Sequence, residues 1–267
     1  MPIRTTVPVE VFDQERFHQV DHRVTGLAFD IHNEFGRYLQ EPLYQRELAR
    51  RCRAAGLEAE LEFHISVALD GFRKDYYADL LVNRGVIVET KAAAALAPAH
   101  KGQTLKYLFL CGLHHGTLLN FQTERVQHEF VSTRLTRAER LRYELVTGDW
   151  KPLTPACESL HPLLLRLLAE WGVYLDPVLY RDAITYFLGG KERVLREIHV
   201  KSAGSIIGSQ EMYLVNDGIA FVVTASTHRP ESVCEHQRRF LKHTDLRAIH
   251  WINFNHSQVE LRTIERS

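Results

Sequence analysis

Apolar positions along the chain change their period several times. From Asp21 onward, Val24, Leu27, Ala28, Ile31 and Phe35 recur at helical spacing, and Gly36 is placed to stop that helix. A second helix is predicted from near Glu41, with Pro42 in the first turn, where a missing N–H does no harm. Leu43, Leu48, Cys52 and Ala55 give it an apolar side. Arg46, Arg50, Arg51 and Arg53 give it a basic side, and Gly56 ends it. Residues 60–69, ELEFHISVAL, alternate in part and read as a strand, followed by the turn signal Asp70-Gly71. The stretch 76–91, YYADLLVNRGVIVETK, reads as two short strands around a tight turn at Asn83-Arg84-Gly85. Small residues at 92–97 lead to Pro98, which opens a helix through about Cys111. Strands are expected at 116–121 and 127–133. Residues 1–20 read as an extended polar arm, and 136–159, rich in Arg, Glu, Thr and Pro, as a linker with some helix at 137–145.

The hairpin at 76–91 carries the candidate chemistry. Its first strand delivers Asp79 and its second delivers Glu89 and Lys91. Residues i and i+2 of a strand share a face, so Glu89 and Lys91 project together and Thr90 points away. Adjacent carboxylates repel, and each raises the other's pKa unless a cation lies between them. Mg²⁺ suits such a site, because it takes hard oxygen ligands from one or two carboxylates plus water and phosphate. A lysine beside it can orient or deprotonate a water, or neutralise developing phosphoryl charge. Glu41, at a helix start, has two readings: it complements the positive helix end, or it reaches a metal held by the sheet that follows. Gln103 and Tyr107 share a helix face at i, i+4. Taken alone, Gln103 is an exposed polar helix residue. His64, among apolar neighbours, is read as a sheet-face histidine, and the adjacent His114 and His115 as diverging rather than chelating.

A repeat organises the rest. Leu81-Val-Asn-Arg-Gly85 recurs as Leu214-Val-Asn-Asp-Gly218, and Asn120-Phe121 recurs as Asn253-Phe254, both 133 positions on. Gly36, Leu43 and Tyr44 match Gly172, Leu179 and Tyr180 at a separation of 136, and Glu62-Phe-His64 resembles Glu197-Ile-His199 at 135. This spacing predicts a second copy of one α/β unit. The copies differ where the chemistry lies. Met212 stands for Asp79, Val222 for Glu89, Thr224 for Lys91 and His236 for Gln103, and Pro177 falls opposite Glu41 with Asp176 adjacent. Two apolar residues in place of two carboxylates cannot hold Mg²⁺. The predicted domains are therefore 21–135, with the site, and 160–267, without it. The alternative is an unrelated α+β domain at 160–267.

Composition adds bounds. The 33 basic and 33 acidic residues give zero formal net charge, so any nucleic acid must be met by a local patch. The four cysteines, Cys52, Cys111, Cys157 and Cys234, are far apart and form no CxxC pair, as expected of reduced thiols. No apolar run approaches the ~20 residues of a membrane span, and the first residues lack an apolar signal segment. The expected location is the cytoplasm, with no membrane partner.

Asp79, Glu89-Thr90-Lys91 and their spacing resemble the core of the PD-(D/E)XK nuclease superfamily. The surroundings resemble the bacterial GxxExxY proteins within it. The HxxQxxxYL motif stands as His100, Gln103, Tyr107 and Leu108. The GxxExxY signature falls on residues 38–44, with Glu41 and Tyr44 matching, Tyr38 in place of the glycine, and Gly36 nearby for the turn. The resemblance covers about residues 20–135. Together with the repeat, it implies an α/β fold of two restriction-endonuclease-like units in tandem, each a mixed central sheet flanked by helices. It also implies a nuclease that uses Mg²⁺ or Mn²⁺ on DNA. Asp79, Glu89 and Glu41 would hold metal, Lys91 would act on water or charge, and Gln103 would orient Lys91 or water. Arg46, Arg50, Lys101 and Lys106 would meet the phosphate backbone. The chain would act as a monomer with an internal pseudo-dimer. The alternative is a non-catalytic scaffold on the same fold that binds nucleic acid or a protein partner. A small-molecule enzyme finds no Gly-rich phosphate loop or nucleophile motif here.

Overall fold

The computed structural model describes residues 3–266. It divides into two compact units, Met1–Arg137 and Ala138–Ser267. Each is a mixed sheet flanked by helices.

Unit 1 runs β1 (Ile3–Thr5), α1 (Gln14–Phe35), α2 (Glu41–Ala54), β2 (Ala59–Leu69), β3 (Phe72–Val82), β4 (Val86–Lys91), α3 (Pro98–Cys111), β5 (His115–Asn120) and β6 (Gln127–Ser132). The sheet order is β1-β2-β3-β4-β5-β6. Only β4 and β5 are parallel, with Ile87 opposite Gly116 and Lys91 opposite Asn120. Every residue of β4 is buried, as a central strand covered on both faces requires. Phe17, Val20, Val24, Ala28 and Ile31 of α1 and Tyr44, Leu48 and Cys52 of α2 form one core with Leu80, Val82, Val86 and Val88. The alternate residues face α3, and at Gly116 a Cβ would come within 3.0 Å of Thr104. The absence of a side chain there lets α3 lie close to the sheet.

The expected arm over residues 1–20 is not an arm. β1 pairs antiparallel with β2, Ile3 opposite Val67. The first helix begins at Gln14 rather than Asp21, because Asp13 caps it, its side chain accepting from the Arg16 N–H at 2.8 Å. Phe12 and Phe17 are buried, and a Cβ at Gly85 would stand 2.5 Å from the Phe12 ring. The N-terminal segment thus closes over the β3–β4 turn.

Unit 2 runs α4 (Arg137–Arg140), β7 (Glu144–Val146), α5 (Pro155–Glu158), α6 (Leu160–Trp171), α7 (Pro177–Phe187), α8 (Lys191–Val194), β8 (Leu195–Ser202), β9 (Ser205–Asn216), β10 (Ile219–Thr224), α9 (Pro230–Lys242), β11 (Ala248–Asn255) and β12 (Gln258–Glu265). Its order is β7-β12-β11-β10-β9-β8. Here too a parallel pair, β10 and β11, is central. The predicted linker at 136–159 is built into this unit. β7 adds to β12 in parallel, and the buried Arg140 donates to the Trp171 carbonyl at 3.3 Å. Gly172 ends α6 with φ +72°, and a Cβ there would meet the Arg140 carbonyl at 2.3 Å, so both conformation and space call for glycine. Charged, proline-rich sequence concealed these contacts, which are made to distant residues rather than to neighbours.

Candidate active site

The β3–β4 ladder pairs Val82 with Val86, Leu81 with Ile87 and Leu80 with Val88. Beyond that point the carboxylates take over the backbone's hydrogen bonds. The Asp79 N–H donates to Glu89 Oε1 at 3.0 Å, and the Thr90 N–H donates to Asp79 Oδ2 at 2.7 Å. Buried N–H groups at a parting of strands need partners. Here those partners are the two acids, which fixes their rotamers. Thr90, expected to point away, also takes part: its hydroxyl donates to Asp79 Oδ2 at 3.0 Å. Simple alternation fails at this point because the strands separate.

Lys91 gathers three acids. Its Nζ stands 3.4 Å from Glu41 Oε1, 3.6 Å from Glu89 Oε2 and 3.7 Å from Asp79 Oδ2. It also donates to the Thr90 carbonyl at 2.7 Å. Glu41 is steadied from the other side by the Ala92 N–H, which donates to its Oε2 at 3.1 Å. The turn before Glu41 is closed by Tyr44, whose Oη donates to the Gly36 carbonyl at 2.7 Å and accepts from the Leu39 N–H at 3.2 Å. Gly36 has φ +69°. The turn that brings Glu41 to the sheet therefore rests on Gly36 and Tyr44, while Tyr38 is 85% exposed.

Electrostatics sharpen the picture. Glu89 is fully buried; burial, then the neighbouring Asp79 carboxylate, pushes its pKa up to about 8. Its Oε2 is buried and accepts no hydrogen bond. For Lys91, burial would lower the pKa, but the carboxylates of Asp79, Glu89 and Glu41 together raise it above the ordinary value. The side chain is therefore an ammonium at neutral pH. Gln103 donates to Tyr107 Oη at 3.4 Å, and burial, then Glu89, pushes that phenol up to about 12. Lys106 lies 5.1 Å over the Tyr107 ring, and its charge helps hold Glu89 down.

Among the described residues, no group of three or more His, Cys, Asp or Glu side chains is placed to hold a metal ion as they stand. The donor chemistry nonetheless fits a hard divalent cation. Asp79 and Glu89 supply two carboxylates, and Glu89 Oε2 is a buried oxygen with no proton donor. The set is a pair, with Glu41 held back by Ala92 and Lys91.

The fold thus brings together Glu41, Asp79, Glu89 and Lys91, with Gln103, Tyr107 and Lys106 beside them. Two of the other basic candidates, Arg50 and Lys101, are engaged elsewhere. Arg50 forks onto Glu47 at 2.7 Å and 2.8 Å, and Lys101 pairs with Glu129 at 2.7 Å. Arg46 is exposed on α2. His64 pairs with Asp75 at 2.7 Å on the sheet face. The His114 and His115 rings lie 6.3 Å apart at 85°, diverging as expected. Two contributors were missed in the sequence: Thr90 and Asn120. Asn120 accepts from the Ala93 N–H at 3.0 Å and donates to its carbonyl at 2.8 Å, fixing the chain just past Lys91. Its recurrence as Asn253 was the available signal.

No curated protein matches the chain. A solved structure, "Crystal structure of SSO0001", is similar at 15% identity with a TM-score of 0.29, over 47% of this chain. The matching part spans 62% of that protein's own length. Residues 18–133, which contain the whole acid–lysine cluster, match the family model of the PD-(D/E)XK nuclease superfamily.

Proposed function

We propose that unit 1 is a metal-dependent nuclease that hydrolyses phosphodiester bonds of DNA, and that unit 2 is a degenerate copy without catalytic chemistry. The observation that carries the first part is the convergence of Asp79, Glu89 and Glu41 within 3.4–3.7 Å of the Lys91 ammonium. Asp79 and Glu89, with Glu41 in reach, would hold Mg²⁺ or Mn²⁺. Such an ion supplies Lewis acidity and a water of lowered pKa. Lys91, with its raised pKa, suits stabilisation of negative charge on the phosphoryl oxygens better than the role of a base. Thr90 and the Asp79 N–H lock the two acids in place, so little reorganisation accompanies the reaction. Gln103 and Tyr107 back the cluster, and Lys106 adds positive charge for the strand.

Several features support the second part. In unit 2, as in unit 1, two helices precede three antiparallel strands, a helix and two further strands. Tyr180 Oη donates to the Gly172 carbonyl at 2.6 Å, as Tyr44 does to Gly36. Tyr180 stacks near Phe254 at 4.3 Å, as Tyr44 does on Phe121. Asn253 clasps Ser226 through both backbone groups, at 2.8 Å and 2.9 Å, as Asn120 clasps Ala93. Coincidence of these contacts at the sequence offsets is what duplication leaves behind. At the remaining equivalent positions, Met212 and Val222 offer no ligand.

The experiment is incubation of single- and double-stranded DNA, and of RNA, with Mg²⁺, Mn²⁺ or EDTA, with Asp79→Ala as control. Metal-dependent cleavage lost in the variant supports the reading. Cleavage that persists in Asp79→Ala refutes it. A second reading, a non-catalytic binding scaffold, is favoured by one observation: no three-acid metal set stands ready among the described residues. It expects salt-dependent nucleic-acid binding, or binding of a protein partner, with no cleavage in any metal.

A further inference from the structure

Unit 2 has a cleft of about 420 Å³ whose lining includes Met212, Val222, Tyr213, Phe240, Gln237 and Arg181. This volume lies within the roughly 300–1,000 Å³ of small-molecule sites. Met212 and Val222 are the residues that stand at the positions of Asp79 and Glu89. The cleft thus opens beside the two apolar residues that stand at the offsets of the unit 1 acids.

The lining has a definite chemistry. Tyr213 and Phe240 offer aromatic surface, and the Arg181 guanidinium lies 4.9 Å over the Tyr213 ring. The carboxamide of Gln237 brings an oxygen, Oε1, that is buried and has no hydrogen-bond donor. A buried acceptor without a donor is costly unless a ligand supplies one. An aliphatic ligand would leave Gln237 unanswered, and a bare phosphate would face Val222 and Met212. A flat ring with N–H groups on its edge satisfies both the aromatic surface and the amide.

We infer that this cleft binds a nucleobase, stacked against the aromatic lining with an N–H donated to Gln237 Oε1. Two sources share that chemistry: an unpaired base of the substrate strand, or a free mononucleotide. The inference rests on the nuclease reading for its biological setting. The once-catalytic cleft would then hold the strand by its bases while unit 1 acts on its backbone. Stacking on aromatic side chains tolerates any base, so no sequence preference is expected from it.

The chain has two methionines, Met1 and Met212, so ¹³C-methyl labelling of methionine puts a reporter inside the cleft. The full-length protein would be titrated in EDTA, so that no strand is cut. The titrants are a single-stranded oligonucleotide, the same strand with abasic sites, a blunt duplex, and nucleoside monophosphates. The expected result is a shift of the Met212 methyl signal with the single strand and none with the abasic strand. Gln237→Leu should weaken this binding about 5-fold, and Phe240→Ala about 10-fold. A shift with monophosphates but not with the strand assigns the pocket to free nucleotide. No shift with either, or an equal shift with the abasic strand, overturns the proposal. Gln237→Leu keeps the test sound if Phe240→Ala does not fold. Cleavage by the wild-type protein without a Met212 shift removes the pocket and leaves the nuclease. A shift without cleavage in Mg²⁺ or Mn²⁺ does the reverse.

Discussion

Lys91 Nζ stands 3.6 Å from Glu89 Oε2, an oxygen that is buried and otherwise accepts no hydrogen bond. The lysine is thus the counter-charge of an acid that burial would keep protonated. Removing the Lys91 ammonium would leave that buried oxygen without its counter-charge, a loss that costs more than the pair contributes.

The first prediction is catalytic. Asp79→Ala, Glu89→Ala and Lys91→Ala should each lower metal-dependent cleavage by ~10²-fold or more, the scale for losing one preorganised electrostatic group. Substitutions at Met212 and Val222 should leave the metal dependence of cleavage unchanged. Initial rates across a Mg²⁺ titration check both statements.

The second concerns pH in metal-free protein. The Glu89 pKa rises on folding from 4.5 to about 8. Between those values the folded state holds a proton that the unfolded state has released, so stability falls as pH rises through this window. Glu89→Gln removes that loss. It should melt higher than wild type at pH 8 in EDTA, by an amount on the order of a few kcal/mol, with the difference shrinking toward pH 5. A difference that grows toward acid would reverse the sign and contradict the assignment.

His250 in unit 2 should act in the opposite direction. It is buried beside Trp150, with its Nδ1 at 3.2 Å from Thr263 Oγ1. Burial lowers its pKa from 6.5 to about 4. Between these values the unfolded chain binds the extra proton, so stability is full above pH 6.5 and falls toward pH 4. His250→Phe should flatten this acid limb, as read by urea midpoints at pH 7 and pH 5.

Asn120→Ala and Asn253→Ala test the two loop clasps. Each strands an N–H and a carbonyl, of Ala93 or of Ser226. These backbone groups are part-buried, and leaving them unpaired costs at most about 1–3 kcal/mol, so both variants should lose stability toward the lower end of that scale in urea. Asn120→Ala should also lower cleavage, since Ala93 follows the Ala92 N–H that holds Glu41. Asn253→Ala should not.

The last prediction follows from the proposal that only unit 1 is catalytic. One site attacks one phosphodiester at a time, so a monomer acting on supercoiled plasmid should accumulate nicked circles before linear product, or degrade a strand from its end. A time course at several protein concentrations decides. Direct linearisation by a protein shown to be monomeric would require a second site.

Sequence alone determined the local order of the molecule. Helical spacing from Val24 to Phe35, the Gly36 stop, Pro42 in a first turn and the Asn83-Arg84-Gly85 turn each depend on neighbouring residues, and each lies where its pattern put it, though the first helix starts at Gln14, capped by Asp13, rather than at Asp21. Asp79, Glu89 and Lys91 were legible for the same reason, being carried by one hairpin. Tertiary structure decided what depends on distant partners. β1 is a strand only because β2 offers it an edge, and β7 only because β12 does. Thr90 reaches Asp79 because the two strands part beyond Leu80, an event that alternation does not encode. Glu41 joins Lys91 across 50 residues of chain, through a turn that Tyr44 and Gly36 close. The cleft around Met212 is likewise a product of packing: sequence placed Met212 and Val222 at the offsets of Asp79 and Glu89, and only the fold decided that they line an open cleft.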